Sequence, residues 1–186
     1  HQEKEIRLRM AGRDFTLITD QSVFSKQKLD YGSGRLIEAV LQDFPHKTGR
    51  LLDLGCGYGA VGIILKRTWP AFQVVMCDIN ERAVELARRN AAFNQAQAVD
   101  IVQSDGLESV AGNFDLILTN PPFGSGKYDD PKGLATMRKA ELGLELGWNW
   151  NAGDRIKKKA IDKAEPVALF VDRNLQLLKP GGRLFI

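Results

Sequence analysis

Short apolar segments with the character of buried strands alternate with amphipathic segments from residue 51 onward, and this alternation limits the chain to few folds. Strands that alternate with helices pair as a parallel sheet through right-handed crossovers. The sequence therefore predicts an α/β fold with a mostly parallel sheet and helices on both faces. The predicted strands are residues 51–54, 73–77, 98–103 and 114–119, and the predicted helices between them are residues 60–67 and 81–93.

The segment before this alternation is predicted to form a hairpin and one helix. Residues 6–10 and 15–19 alternate apolar and polar side chains around Ala11-Gly12, which is typical of a β-hairpin. Residues 22–33 are predicted to be a loop. Apolar residues then recur at helical spacing over residues 36–44, where a proline ends the predicted helix.

The C-terminal part departs from the regular alternation. Residues 124–164 mix glycine, charge and tryptophan over a length that exceeds ordinary connections, and they are predicted to be an insertion. A helix is predicted over residues 167–178, with Pro180-Gly181-Gly182 as its stop signal, and a last strand over residues 183–186.

Composition excludes several classes of protein. A chain of 186 residues with 44% hydrophobic and 26% charged residues is typical of a single globular domain, and its net charge of +3 permits a nucleic-acid partner. The sequence shows neither a membrane-spanning run nor a signal peptide. Cys56 and Cys77 form no CxxC pair, so no metal or redox site is indicated. We expect a cytoplasmic protein.

Polar residues follow four of the predicted strands at the points where the strands end. These are the segment 53–59, Asp78, Asp105 and Asn120. In parallel sheets, ligands bind beyond the carboxyl ends of the strands. We therefore expect these residues to lie around one ligand.

The segment 52–59 joins the first parallel strand to its helix through three glycines. Glycine lets the backbone turn tightly against a ligand, and the helix that follows offers free N–H groups. Gly57, Gly59 and Gly62 also fit the dinucleotide fingerprint GxGxxG, so an NAD-binding oxidoreductase is one alternative, and a plain strand-to-helix turn is another. Asp53 disfavours a dinucleotide because its charge repels a pyrophosphate and attracts an ammonium group.

Two further aspartates have both functional and structural interpretations. Asp78 can accept hydrogen bonds from both hydroxyls of a ribose, or it can cap the helix over residues 81–93, a position for which Asn80 competes. Asp105 lies between Ser104 and Gly106, where a turn aspartate is common.

The most specific motif in the chain is Asn120-Pro121-Pro122-Phe123. It matches the motif of amino-methyltransferases that modify an exocyclic base amine or a glutamine amide. Such an amine is a poor nucleophile, and acceptors on Asn120 and Pro121 would bind its two hydrogens and aim its lone pair at a methyl donor. The prolines stiffen the loop, and Phe123 offers a face for the base. The structural alternative is a Pro-Pro turn with Phe123 in the core.

Residues 5–123 resemble the small-domain methyltransferases, class I S-adenosylmethionine-dependent enzymes that include ribosomal-RNA guanine-N2 methyltransferases. The glycine loop matches motif I of that family, and residues 23–25 and 29–33 match the segment that precedes it. The resemblance implies a Rossmann-like methyltransferase fold and S-adenosylmethionine as cofactor, with Asp105 toward the adenine amino group. The implied cofactor-binding residues are Phe24, Asp30, Gly32, Ser33, Asp53, Gly55, Cys56, Gly57, Gly59, Asp78, Ile79, Asp105, Gly106 and Asn120, and the implied catalytic residues are Asn120, Pro121, Pro122 and Phe123.

Residues 114–186 resemble a second family, the modification subunit of type I restriction systems, which methylates adenine N6 in DNA. The segment 120–126, Trp148-Asn149-Trp150 and the segment 177–183 carry this resemblance. Both families share the catalytic motif, so the change of resemblance is expected near residues 114–123.

One methyltransferase domain of four parts is therefore predicted. Its parts are residues 1–34, with the hairpin and a cofactor-contacting segment, the cofactor-binding core 35–123, the insertion 124–164, and the last helix and strand in 165–186.

The insertion is a candidate region for substrate recognition. Trp148 and Trp150 can stack on bases or pack beneath the insertion. The basic cluster 155–159 can contact phosphates, or it can be a solvated face.

Both families have a further pair of strands after Pro180-Gly181-Gly182, and the sequence stops at Ile186 before such a pair. We expect the last parallel strand to lie at an edge of the sheet. An exposed edge favours pairing, so a partner chain, a second copy in a homodimer, or the N-terminal hairpin is expected to cover it.

The sequence thus favours an S-adenosylmethionine-dependent N-methyltransferase that acts on guanine N2 of ribosomal RNA or on adenine N6 of DNA. Three alternatives stay open. They are a non-catalytic or hybrid S-adenosylmethionine-binding fragment, a protein glutamine methyltransferase, and an NAD-binding oxidoreductase.

Overall fold

The computed structural model describes residues 2–23, 28–44, 46–120 and 177–185. Ten helices and strands lie within them. In chain order they are β1 (Glu3–Met10), β2 (Arg13–Asp20), α1 (Tyr31–Asp43), β3 (Gly49–Leu54), α2 (Ala60–Thr68), β4 (Phe72–Asp78), α3 (Glu81–Phe93), β5 (Val99–Gln103), β6 (Phe114–Thr119) and β7 (Leu178–Phe185).

Five strands form one parallel sheet in the order β5-β4-β3-β6-β7. The chain runs outward from β3 through β4 to β5 and then returns to the other side of β3 with β6. Leu54, the last residue of β3, pairs with both Cys77 of β4 and Thr119 of β6, so these strands end at the same level. Such a reversal of strand order opens a crevice for a ligand at the carboxyl ends.

The three described helices share one hydrophobic core on one face of the sheet. Ile37 of α1, Ile63 of α2 and Leu86 of α3 are fully buried in the same cluster as Leu51 and Met76 of the sheet. Burying each such side chain stabilises the fold by about 1.5–3 kcal/mol, which outweighs helix propensity as the reason these segments dock.

The opposite face of the sheet is also buried, as Leu52, Cys77 and Ile117 show. Most of the helix predicted over residues 167–178 lies outside the described residues, and its last residue, Leu178, belongs to a strand instead. None of the described helices is long and apolar enough to cross a membrane.

The N-terminal hairpin forms its own two-stranded sheet and packs through β2 against α3. Two asparagines, Asn90 of α3 and Asn94 at the C-terminal cap of this helix, form hydrogen bonds with the backbone of β2. Arg82 of α3 donates from Nε to the buried carboxylate of Asp20 over 2.6 Å. These contacts place the hairpin beside the helix rather than in the main sheet.

The structure confirms the hairpin and the strands and helices predicted between residues 36 and 119, but it corrects two predictions. Residues 31–33 are not loop, because Asp30 caps α1 by accepting from the Ser33 amide over 2.9 Å. The Pro180-Gly181-Gly182 segment is not a helix stop but lies within β7, which begins at Leu178. The pairing of this segment with β6 is irregular, because Phe114 pairs with Leu178 whereas Leu116 pairs with Arg183.

Strand β7 is the outermost of the described strands, and it pairs with β6. The hairpin belongs to a separate sheet, so the prediction that it covers this edge is wrong. Cover by a partner chain or by a second copy stays a prediction.

Gly62 of α2 allows a close approach between helix and sheet, and its replacement by alanine is expected to destabilise the fold. An added Cβ would lie 2.3 Å from Sδ of the buried Met76. We expect Gly62→Ala to lower the free energy of unfolding by about 1–3 kcal/mol, because overpacked cores shift their neighbours. Gly34→Ala in α1 is the control, since its Cβ would meet its nearest neighbour at 3.9 Å and should raise stability by about 0.5–1 kcal/mol. Urea unfolding measures both, and equal effects would contradict the expectation.

Candidate functional site

The glycine loop between β3 and α2 has a backbone that side chains rarely tolerate. Gly55, Gly57 and Gly59 have φ angles of 69°, 56° and 91°, all in the left-handed region that favours glycine. Gly59 occupies the cap position of α2, and the Cys56 amide donates to the Cys77 carbonyl of β4 over 2.9 Å. The loop therefore brings its backbone to the carboxyl ends of β3 and β4.

Asp53 lies beneath this loop rather than on its surface. Its carboxylate is buried and accepts a hydrogen bond of 2.9 Å from the Gly62 amide in the first turn of α2. Burial, and to a smaller extent the negative charge of Asp78, raises its pKa to about 7. Asp53 thus joins the end of β3 to the start of α2, and its predicted attraction for an ammonium group stays a prediction.

Asp78 fixes the loop from the neighbouring strand. One carboxylate oxygen accepts from the Gly57 amide over 2.8 Å, and the other accepts from the Asn80 amide over 2.9 Å. Asn80, not Asp78, caps α3, because its side chain accepts from the Arg82 amide. An ionised carboxylate has about four lone-pair sites, so Asp78 retains capacity for two hydroxyl donors.

The ends of β4 and β5 are tied together beside Asp78. The Ser104 amide donates to the Asp78 carbonyl over 2.9 Å, and Gln103 donates from Nε2 to the Ile79 carbonyl over 3.1 Å. Ile79 is 61% exposed, which places an apolar side chain next to the Asp78 carboxylate. Asp105 is exposed in the turn that follows β5, and Gly106 adopts a left-handed conformation there.

Asn120 follows β6 and contacts the N-terminus of α1. Its Nδ2 donates to the Asp30 carboxylate over 3.0 Å and to the Ser33 hydroxyl over 3.3 Å. A Cβ on Gly32 would lie 2.9 Å from the Asn120 amide, so only glycine leaves room for it. The structure therefore brings the predicted residues Asp30, Gly32 and Ser33 together with Asn120.

Four predicted site residues, Phe24, Pro121, Pro122 and Phe123, lie outside the described residues. Their predicted roles stay predictions.

The two cysteines are buried thiols. Burial raises the pKa of Cys56 well above its usual value and that of Cys77 to about 12. Both side chains therefore stay protonated at neutral pH, and neither is activated as a nucleophile. The described residues hold no cluster of side chains able to bind a metal ion.

A surface cavity of about 530 Å³ lies beside β5, away from this site. Its lining includes Arg50 and Arg88, whose guanidinium groups donate to the backbone carbonyls of Ala111 and Ile101 over 2.8 and 2.9 Å. Because the glycine loop does not line this cavity, we assign the candidate functional site to the carboxyl ends of the strands and not to the cavity.

Two residues near the site escape the sequence patterns. Tyr31 is 82% exposed although it lies between Asp30 and Gly32, and its aromatic ring is available for stacking. Asn90 is fully buried on the apolar face of α3, three residues after Ala87. Asn90 could have been found from the sequence, because it is a polar residue within the apolar stripe of a helix. No sequence pattern marks Tyr31 unless the start of α1 is already known.

Comparison with protein families gives a match to the methyltransferase small domain over residues 14–146. The match continues through residues 114–123, where a change of resemblance was predicted, so the first resemblance extends beyond that point.

Individual proteins are similar over most of the chain. The uncharacterized protein YbxB of Bacillus subtilis (strain 168) is 44% identical over 121 residues, which is 64% of this chain and 59% of that protein. Ribosomal RNA small subunit methyltransferase C of Pasteurella multocida (strain Pm70) is 39% identical over 146 residues, 77% of this chain and 41% of that protein. The chain thus spans about two fifths to three fifths of the length of these relatives.

A solved structure with the same fold is the Thermus thermophilus 16S rRNA N2 G1207 methyltransferase RsmC in complex with AdoMet and guanosine. It is 25% identical with a TM-score of 0.67, over 98% of this chain and 41% of that protein.

The buried Asp53 makes stability depend on pH in a defined direction. Its pKa is raised from 3.8 to about 7 on folding, so the native state keeps a proton that the unfolded state loses between these values. The contribution of Asp53 to the free energy of unfolding therefore falls as pH rises from about 4 to about 7, by up to roughly 4 kcal/mol. Asp53→Asn keeps an acceptor for Gly62 and removes this loss. Urea unfolding at pH 4.5 and 7.5 should show the variant gaining on the wild type at the higher pH, and a constant difference would refute the assignment.

Proposed function

The chain belongs to the methyltransferase small domain family, and from this premise we propose that it transfers a methyl group from S-adenosylmethionine to the exocyclic N2 amine of a guanine in small-subunit ribosomal RNA. The observation that carries the proposal is the hydrogen bonding of Asn120 to Asp30 and Ser33. This contact brings the amine-binding motif to the segment implied to contact the cofactor.

The described residues fit the cofactor that we propose. Asp78 has acceptor capacity for the ribose hydroxyls, and the exposed Ile79 beside it offers an apolar surface to the adenine. The left-handed glycines let the backbone of the loop lie against the ligand. When bound, S-adenosylmethionine supplies an activated sulfonium methyl group, so the protein contributes mainly positioning.

The orientation of the Asn120 amide supports the catalytic role. Because its nitrogen donates to Asp30 and Ser33, its oxygen is the end that can accept a hydrogen from the substrate amine. With the Pro121 carbonyl as second acceptor, as the motif implies, the amine lone pair would point at the methyl group. The products are the methylated amine, S-adenosylhomocysteine and one proton.

The names of the relatives favour this substrate over its alternatives. Ribosomal RNA small subunit methyltransferase C and the RsmC structure favour a guanine of RNA as the methylated group over an adenine of DNA or a glutamine of a protein. They also favour a methyltransferase over an NAD-binding oxidoreductase. A ribosomal substrate also fits a cytoplasmic protein.

The test is to identify the methylated nucleoside. Small-subunit ribosomal RNA and adenine-containing duplex DNA are incubated separately with methyl-labelled S-adenosylmethionine, and the digested nucleosides are separated. We expect N2-methylguanosine from the RNA, and a loss of about 100-fold or more in Asn120→Ala, because a placed hydrogen-bond acceptor acts mainly in the transition state. N6-methyl-2′-deoxyadenosine from the DNA would favour the restriction-system resemblance. Binding of S-adenosylhomocysteine without any product would favour a non-catalytic fragment.

Gly32 sets the position of Asn120, and a methyl group there should reduce the rate. The added Cβ of Gly32→Ala would lie 2.9 Å from both Oδ1 and Nδ2 of Asn120. We expect kcat to fall roughly 10- to 100-fold, since small displacements of a catalytic group are costly. Gly34→Ala, two residues further along α1, should keep the wild-type kcat, because its Cβ would meet its nearest neighbour at 3.9 Å, an ordinary van der Waals distance. Similar kcat values for the two variants would mean that Asn120 does not depend on this packing.

A further inference from the structure

We infer that Asn90 is a positioning residue that couples the N-terminal hairpin to the glycine loop, so that docking of the hairpin and binding of the cofactor strengthen each other. The inference rests on the proposed function, because it takes the glycine loop to be the cofactor site. Its basis is one buried side-chain amide of α3 that bonds to two other parts of the fold.

The side chain of Asn90 is fully buried, and both ends of its amide are engaged. Its Oδ1 accepts from the Ile18 amide over 2.7 Å, and its Nδ2 donates to the Ile18 carbonyl over 2.8 Å. The second hydrogen of Nδ2 goes to the Tyr58 carbonyl, also over 2.8 Å. One side chain of α3 therefore holds the backbone of β2 and the backbone of the glycine loop at once.

The Tyr58 carbonyl lies at the centre of the loop. Gly57 on one side donates its amide to Asp78, and Gly59 on the other side begins α2. The hydrogen bond from Asn90 thus holds the loop at a third point, between Gly57, which is bonded to Asp78 of the sheet, and Gly59, which caps α2. Loss of this bond would leave a carbonyl of the buried residue Tyr58 without this partner and would relax the loop where the cofactor is proposed to lie.

The same hairpin segment approaches the loop at a second point. Asn80, the cap of α3, donates from Nδ2 to the Ser22 carbonyl over 3.2 Å. Val23 follows, and its side chain would lie 3.9 Å from a Cβ on Gly57. The residues that follow β2 therefore border the loop itself.

Asn94 provides a matched control one helical turn later. It accepts from the Thr16 amide over 3.0 Å and donates to the Thr16 carbonyl over 2.7 Å, the same exchange that Asn90 makes with Ile18. Its remaining hydrogen bond goes to the Asn90 carbonyl within α3. The two asparagines thus dock the hairpin in the same way, and Asn90 alone of this pair bonds to the loop.

The experiment compares Asn90→Ala and Asn94→Ala by calorimetric titration with S-adenosylhomocysteine and by urea unfolding. Both variants should have a lower unfolding midpoint, because both lose bonds to β2. We expect Asn90→Ala to raise the Kd about 5-fold or more, the range of a typical coupling between sites, and Asn94→Ala to change it less than about 2-fold. Equal shifts in Kd for the two variants would overturn the inference and leave the proposed function standing, whereas no binding by the wild type would overturn both.

A measurement on the wild type covers the case in which Asn90→Ala does not fold. Coupling is reciprocal, so the ligand should stabilise the docked hairpin. We expect S-adenosylhomocysteine to slow hydrogen exchange of the Ile18 amide more than that of the Thr16 amide. Equal slowing of the two amides, or none, would overturn the inference.

Discussion

Two hydrogen bonds from backbone amides to carboxylates hold the glycine loop, and the candidate site depends on them. Gly62 donates to Asp53 at the end of β3, and Gly57 donates to Asp78 at the end of β4. Together they fix a loop whose glycines adopt left-handed angles that glycine readily takes. The cost of burying Asp53 appears as its raised pKa, so the site is held partly at the expense of stability.

The remaining parts of the site reach this loop from other directions. The return of the chain at β6 carries Asn120 to the same edge of the sheet, where the N-terminus of α1 orients its amide. Asn90 joins the loop to the hairpin from beneath. Segments that are distant in the sequence thus come together at the carboxyl ends of the strands, as expected where strand order reverses in a parallel sheet.

Sequence patterns predicted the strands and helices between residues 36 and 119 because their apolar periodicity also decides their packing. The start of α1 could not be predicted in this way, since it depends on Asp30 capping its own helix and on Asn120 arriving from a distant segment. Position alone placed Asp78 at the site, but only the structure assigns the cap of α3 to Asn80. The irregular start of β7 escaped prediction because Pro-Gly-Gly has the same composition as a turn.

The most direct test of the central claim is a crystal structure of the chain with S-adenosylhomocysteine. We expect the ribose hydroxyls within hydrogen-bond distance of the Asp78 carboxylate and the adenine against Ile79. The amino-acid end of the ligand should lie toward Asp30 and Asn120. A ligand bound elsewhere, such as in the cavity beside β5, would contradict the assignment of the glycine loop as the methyl-donor site.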